Sequence, residues 1–412
     1  MTGSRRRNTC RLCGGHDQEL AVHLEPMPSG DAYVPAGHLD QPQETYPLDL
    51  YLCHSCGHAQ LLDVVDPEIL YRNYLYTTSI SLGLAEHFHR YADEVLSRVN
   101  PPAGSFVVDL GSNDGTLLKA FQSRGMRVLG VDPAREVARK ATASGVETLP
   151  CFFTAELART IRDERGPASI VTANNVFANI DNLVDMIEGI QTLLAPDGVF
   201  VFETSYLVDV FQKSLLETFF HEHLCYFSVK PLEAFFRGHG MELIDSQRVP
   251  TKGGSLRGTA QLTGGPRKIS RTVAELMALE MSLGLDHLES YKAFAAQMNA
   301  VKKELHNLLR NLKEERKTIA GYGAAVGVTT LIYHFDLGGQ LNFLVDDNVS
   351  RQHLYSPGHH IPVLPPTVLY ERKPAYVIIL AWAYAEPIMK KHRAFLRQGG
   401  HFIVPLPKVE VI

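Results

Sequence analysis

Apolar positions along the chain change period from region to region. Between Ser81 and Val99, Leu84, Phe88, Tyr91 and Val95 recur at helical spacing, and Pro101-Pro102 ends the run, so a helix is predicted there. Ser105-Phe-Val-Val-Asp-Leu110 then reads as a buried strand, Thr116 to Arg124 as a helix, and Arg127-Val-Leu-Gly-Val-Asp132 as a second strand. Val171-Thr-Ala-Asn-Asn175 and Gly198-Val-Phe-Val-Phe-Glu203 read as the fourth and fifth strands of the same series. Strands alternating with helices imply right-handed crossovers and a parallel sheet. From Val273 to Arg316 the pattern is helical, with Leu276, Leu279, Leu283, Leu288, Phe294, Met298, Val301, Leu305 and Leu312 along it. A second, smaller Rossmann-like series opens at Lys317-Thr-Ile-Ala-Gly-Tyr-Gly-Ala324 and continues through Leu341 to Asp346, Ala375 to Ala381 and His401 to Val404.

The stretch up to about Tyr71 has a different texture, rich in cysteine, histidine and proline with short extended pieces. A core this small needs a staple. Cys10-x-x-Cys13 and Cys53-x-x-Cys56 supply it: each knuckle puts two thiolates on one tight turn, and two knuckles complete a tetrahedron around zinc. With four thiolates the metal has no open position, so the site is structural. His16, His54 and His58 are alternative ligands, and buried structural thiols are the alternative to a metal.

Length and charge narrow the class. A chain of 412 residues suggests two or three domains. Its 40 basic and 45 acidic residues give a net charge of −5 with no long basic run, which weighs against a nucleic-acid partner. No stretch approaches the ~20 apolar residues of a membrane span. Met1-Thr-Gly-Ser-Arg-Arg-Arg7 is basic, but no apolar segment follows it before Cys10, so a cytoplasmic monomer acting on a small molecule is expected.

Val107-Val-Asp-Leu-Gly-Ser-Asn-Asp-Gly115 is a strand, a turn and a helix start. Gly111 and Gly115 would let backbone approach a ligand, and the helix N-terminus offers free amides. Asp132 ends the next strand, where a carboxylate can accept ribose hydroxyls. A dinucleotide dehydrogenase would show GxGxxG. Here the pattern is Asp109-x-Gly-x-x-x-Gly, with Asn113 in place of the second glycine, which favours an S-adenosylmethionine site. Asp114, Pro133 and Asn175, the last where the fourth strand would border the sulfonium, complete the expected donor set.

His221-Glu222-His223 offers proton-transfer groups, since an unperturbed histidine titrates near ~6.5. It lacks HExxH spacing for a metal, and backbone-satisfied structural histidines are the other reading. Lys252, Gly254, Ser255 and Arg257 fall in a glycine-rich stretch suited to a diphosphate or sugar, or to an ordinary exposed loop.

Taken in order, these motifs give the chain a resemblance over essentially its full length. They include the paired cysteines, Tyr71-Arg-Asn-Tyr-Leu-Tyr-Thr-Thr-Ser79, the donor loop and Ala173-Asn-Asn-Val-Phe-Ala178. His221 to Ser228, Gly253-Gly-Ser-Leu-Arg257 and Pro357-Gly-His-His-Ile-Pro-Val-Leu-Pro365 complete the set. The chain resembles the nucleotide-sugar C-methyltransferases, the type that makes branched deoxysugars such as tetronitrose and mycarose. The resemblance implies an α/β architecture of three parts: a zinc domain over 1–75, a Rossmann-like class I donor domain over 76–312, and a C-terminal Rossmann-like domain over 313–412. It implies S-adenosylmethionine and structural zinc, with a nucleotide sugar in the cleft facing the donor. His223 matches the family base, Glu222 an active-site acid or orienting partner, and Tyr74 a tyrosine that reaches the substrate; His221 stands beside them.

Carbon methylation needs a carbanion equivalent, and a 4-keto group supplies it by acidifying the neighbouring C–H. C-3 is the expected carbon. C-5 methylation, O- or N-methylation of a related metabolite, and a non-catalytic zinc-stabilised binding protein are the alternatives. Four positions depart from the family pattern: Asn179 replaces a histidine, Phe220 a tyrosine, Val326 a lysine and Ala383 an asparagine.

Overall fold

The computed structural model describes residues 3–71, 78 and 83–412. The chain forms two compact units, each assembled from three stretches. The first comprises Met1–Glu19, Leu52–Val208 and Leu224–His287; the second comprises Leu20–Tyr51, Asp209–His223 and Leu288–Ile412.

The first unit is built on a seven-stranded sheet. Its strands are β1 (Phe106–Leu110), β2 (Arg127–Val131), β3 (Thr148–Leu149), β4 (Ala168–Asn174), β5 (Leu194–Ser205), β6 (Met241–Val249) and β7 (Ser255–Leu262). They lie in the order β6-β7-β5-β4-β1-β2-β3, with β3 to β5 parallel through the middle and β7 and β6 added antiparallel. The parallel part is as the alternation predicts. The antiparallel pair is not, and it turns Ser255 and Arg257 from a supposed loop into strand residues. Helix α1 (Leu84–Val99) packs Leu84, Phe88, Tyr91, Ala92 and Val95 into a core with Val107, Ile170, Val199 and Val201. Those are the positions its periodicity assigns to a buried face.

The second unit carries a six-stranded sheet of β8 (Ile319–Tyr322), β9 (Phe343–Val345), β10 (Val363–Leu364), β11 (Tyr376–Ile379), β12 (His401–Val404) and β13 (Glu410–Val411). Their order is β10-β9-β8-β11-β12-β13, parallel except for the terminal β13. The helical run from Val273 is two helices, because Gly284 (φ 63°) sits in a break between Arg271–Ser282 and Leu288–Glu314. The latter helix groups with the C-terminal sheet. Among the described residues, no helix is long and apolar enough to cross a membrane.

Candidate functional site

The four cysteines of the two knuckles converge. Their sulfurs all lie within 4.8 Å of one another, with Cys10–Cys56 at 3.7 Å and Cys13–Cys53 at 3.6 Å. Zinc–sulfur bonds of about 2.3 Å span a tetrahedron with edges of about 3.8 Å, so the set fits zinc. Each knuckle closes on a glycine in the left-handed region: Gly14 N–H donates to Cys10 O and Gly57 N–H to Cys53 O. The neighbouring histidines have other partners, His16 with Asn8 O and His54 with Glu19.

Arg11, inside the first knuckle, is 2% exposed. Its Nε donates to Asp181 Oδ1 at 3.0 Å and its Nη1 to Gln60 Oε1 at 3.0 Å. Arg5 and Arg7 reach the same aspartate. Burial alone would raise the Asp181 carboxyl, but the three arginines hold it below the ordinary range. Asp181 follows the turn after β4, so the knuckle is tied to the loop that starts at Asn175.

That loop borders the donor site. Asp109 at the end of β1 is buried, which lifts its carboxyl to about 7 against the hydrogen bond from Thr172 Oγ1 at 2.6 Å. Asp132 follows β2; its Oδ2 accepts from Asn113 N–H at 2.8 Å and its Oδ1 from Ala134 N–H at 2.9 Å. Each oxygen keeps a second lone pair for a ribose hydroxyl. Asn113 also accepts from Thr78 N–H. Asp114 stands just before the helix Thr116–Gln122 and accepts from the Thr116 amide and hydroxyl.

The two loop glycines need a different explanation from close ligand approach. A Cβ at Gly111 would lie 2.9 Å from Val176 Cβ, and one at Gly115 3.0 Å from Val146 Cβ. Both are at positive φ, so their smallness serves the turn and its packing. Asn175 also adopts positive φ (56°), its amide donating to Glu203 O. Pro133 sits at the bend after Asp132. In the following turn, Asn179 Oδ1 is buried and meets no hydrogen-bond donor among the described residues. The unmet acceptor and the Asp132 lone pairs fit a polar ligand such as S-adenosylmethionine at this end of the sheet.

A buried cluster, invisible in the sequence, stands at the end of β5. Glu203 is 1% exposed and accepts from Thr251 Oγ1 at 2.6 Å and Arg257 Nε at 3.0 Å. His87 Nε2 lies 2.9 Å from its Oε1 and, facing a carboxylate, carries the proton. Burial would raise the Glu203 carboxyl, but His87, Arg257 and Thr251 keep it below the ordinary range. Arg257 also reaches Glu94 at 2.7 Å and lies 4.3 Å from the Tyr91 ring centroid. The guanidinium expected to meet substrate is therefore engaged inside the protein. It helps anchor the Thr251–Gly254 turn, in which Lys252 is exposed at positive φ and Ser255 Oγ donates to Thr251 O. Breaking such a pair strands a buried charge, so Glu203→Ala is expected to cost about 3–5 kcal/mol. Urea denaturation would read this as a lower midpoint at constant slope.

In the second unit, Phe220 to His223 form a turn closed by His223 N–H to Phe220 O. His223 Nδ1 lies 3.0 Å from Thr218 O. A carbonyl only accepts, so Nδ1 carries the proton and Nε2 of the neutral ring is unprotonated. The Phe220 ring packs 3.9 Å from the imidazole centroid. Burial pushes the Glu222 carboxyl up to about 7. His221 is fully buried, lies 3.2 Å from Tyr46 O through Nε2, and is pushed down to about 4 by desolvation. It is neutral and held by backbone, which corrects its place beside the catalytic candidates to a structural one. Tyr74 lies outside the described residues.

Known proteins match this arrangement along the whole chain. Residues 10–71 match a zinc binding domain, 84–246 a methyltransferase domain, and 250–407 the C-methyltransferase C-terminal domain. C-methyltransferase NovU of Streptomyces niveus is 35% identical over 410 residues, 98% of this chain and 96% of the relative. Ubiquinone biosynthesis O-methyltransferase of Ralstonia nicotianae is 26% identical over 154 residues, 34% of this chain and 65% of that one. Among solved structures, the 1,6-didemethyltoxoflavin-N1-methyltransferase of Burkholderia thailandensis matches at 25% identity and a TM-score of 0.32, covering 43% of this chain and 79% of its own. The end-to-end match, the donor loop and the four-cysteine cluster together place the chain in the C-methyltransferase family, as an S-adenosylmethionine-dependent enzyme with an N-terminal zinc-binding domain.

Proposed function

We propose that this enzyme methylates a carbon beside the ketone of a 4-keto deoxy nucleotide sugar, C-3 in the first instance. The observation that carries the reading is the Thr218 carbonyl on His223 Nδ1, which leaves Nε2 as a base, in a chain that aligns end to end with a C-methyltransferase. S-adenosylmethionine, held by the Asp132 carboxylate and the Asn113 and Asn175 turns, supplies a methyl group on an electrophilic sulfonium.

The chain's own residues do the rest. His223 Nε2 removes the proton from the carbon flanking the ketone, and the electron pair of that C–H bond passes into the enolate. Glu222, raised to about 7, holds a proton near neutrality and so can serve the developing oxyanion as a donor. Phe220 brings no phenol to this task; its ring confines the imidazole. The exposed Lys252, on a turn anchored through Thr251 and closed by the Gly254 amide on Thr251 O, is the proposed contact for the diphosphate. The zinc, donor and C-terminal modules are proposed over 1–75, 76–312 and 313–412, with 20–51, 209–223 and 288–312 packing in the same compact unit as the C-terminal sheet.

The test is incubation with S-adenosylmethionine and a dTDP-4-keto-deoxysugar carrying deuterium at C-3. Carbon methylation there replaces the C–D bond by a C–CH3 bond, so it predicts a methylated product whose C-3 label has been lost to solvent. Methylation with the label retained at C-3 would overturn the C-3 reading and move the methyl group to C-5, oxygen or nitrogen. A second measurement is titration calorimetry: Asp132→Ala is expected to abolish measurable S-adenosylmethionine binding, with a fall in melting temperature of a few degrees because the Asn113 and Ala134 amides lose their acceptor.

A further inference from the structure

A concave surface of the first unit lies on the sheet face that α1 packs against. There α1 sets Val95 among Val107, Ile170, Val199 and Val201 of β1, β4 and β5. The same face continues across the antiparallel strands. Register puts Thr259 of β7 opposite Val201 and Asp245 of β6 opposite Thr259; the next row along is Glu203, Arg257 and Gln247. Directly paired residues share a face of the sheet, so these side chains extend the valine surface with polar groups. A cavity of about 330 Å³ opens between this face, the flank of α1 and segment 267–272.

Ligand pockets are mostly apolar with a few convergent polar groups, and this cavity has that make-up. Val95, Val99, Val199, Val201 and Ile244 form its apolar wall. Among the described residues, none of the donor-turn positions from Gly111 to Asp132 lines it. Arg98, Arg257, Arg267 and Lys268 face it with only Glu94 and Asp245 as acids, an excess of two positive charges on a chain whose net charge is −5. Both acids are already engaged: Asp245 pairs with Arg98, and Glu94 meets Arg257 at 2.7 Å. Arg267 donates through Nη1 to Asp197 O at 2.6 Å and through Nη2 to Val99 O at 3.3 Å, which fixes the guanidinium without neutralising it. Lys268 is exposed next to it, and among the described residues neither cation has a carboxylate partner.

We infer that this cavity is a second small-molecule site, for an aromatic carboxylate whose ring lies on the valine and isoleucine wall and whose anionic group meets Arg267 and Lys268. Carboxylate is the chemistry that the other two guanidiniums of the cavity already accept, from Glu94 and Asp245. An aromatic ring also offers its face to the cations along the rim. A volume of about 330 Å³ is at the small end for ligand pockets, the size for a mono- or bicyclic acid. The site is independent of the methyl-transfer reading. It reaches the buried Glu203 cluster through Arg257, whose other edge holds that carboxylate.

The experiment titrates the full-length, zinc-loaded protein with 2-naphthoate and with its neutral analogue 2-naphthamide, in saturating S-adenosylhomocysteine so that the donor site is closed to both probes. Calorimetry reads affinity, and the methyl signals of ¹³C-labelled valine read position, with Val99 assigned by difference from Val99→Phe. Naphthoate is expected to bind at one site with a dissociation constant near ~1 mM, the scale for a ligand of its size, and to shift the Val99 methyls. The amide, which lacks the charge, is expected to bind about tenfold more weakly. Lys268→Glu, at an exposed position, is expected to weaken naphthoate about 3–10-fold and leave the amide unmoved. Val99→Phe is expected to fill the cavity and abolish binding of both probes, and S-adenosylhomocysteine affinity is expected to be unchanged in both variants. No saturable binding of naphthoate up to about 10 mM overturns the proposal. Binding that Lys268→Glu leaves unchanged, or methyl shifts that spare Val99, overturns it as well. Equal affinity for acid and amide removes the anion recognition, and the ligand class with it.

Discussion

His223→Asn lowers methyl transfer about 10²–10⁴-fold, the range that a positioned general base contributes, and leaves S-adenosylmethionine affinity unchanged. The size follows from what the substitution removes. Asparagine offers an amide that can still donate toward Thr218 O, but it has no nitrogen lone pair with which to accept the carbon-bound proton. The neighbours do not substitute for the lost base. His221 is buried and faces the Tyr46 carbonyl, and Phe220 has no ionisable group. Glu222, raised to about 7, is the remaining titratable group of the segment, and its proton at neutral pH suits donation rather than abstraction. Single-turnover rates and deuterium exchange in the same reaction mixture check this. Loss of exchange in parallel with loss of methylation is expected, because both require the C–H bond to open. Exchange at the wild-type rate in the variant would take the base away from His223 and place it on another group.

The donor turn and the metal knuckles were legible in the sequence because each is a local device. Cys10 to Cys13, Cys53 to Cys56 and Asp109 to Gly115 carry their geometry within a few residues, and only the meeting of the two knuckles is long-range. The residues that hold the candidate site together were not legible, because their partners are far apart in the chain. Glu203 binds His87 from 116 positions away and Arg257 from 54, and nothing in the spacing marks them as a set. A basic residue in a glycine-rich stretch reads naturally as a phosphate ligand, and Arg257 has that setting. The antiparallel pairing of β7 with β5 turns it inward to Glu203 instead. Gly111 and Gly115 read in the sequence as positions of close ligand approach, and in the fold a Cβ at either would meet Val176 or Val146. Local periodicity reports which face of an element is buried. It does not report which distant charge will be buried against it.

Stripping the metal is expected to lower the melting temperature of the protein by about 10 °C or more and to weaken S-adenosylmethionine binding with it. Structural zinc sites hold roughly 10–16 kcal/mol of apparent binding free energy in small peptides, and for a unit of this size each 1 kcal/mol lost shifts the melting point by about 2–4 °C. The link to the donor site is the Arg11 side chain. It sits between Cys10 and Cys13, so its position depends on the closed knuckle, and it donates to Asp181, Gln60 and the Leu61 carbonyl from a fully buried position. When the knuckle opens, that guanidinium leaves Asp181. The turn from Asn175 through Asn179 then loses its anchor, along with the contact of Val176 on Gly111 that shapes the donor loop. Melting curves and calorimetry before and after treatment with a strong chelator, with released zinc assayed colorimetrically, measure both effects. Arg11→Met separates the clamp from the metal. It is expected to retain zinc, to weaken S-adenosylmethionine binding, and to leave Asp181 charged but still faced by Arg5 and Arg7. Full S-adenosylmethionine affinity in the stripped protein, or in Arg11→Met with its zinc in place, would disconnect the metal module from the donor site and reduce it to a passive staple.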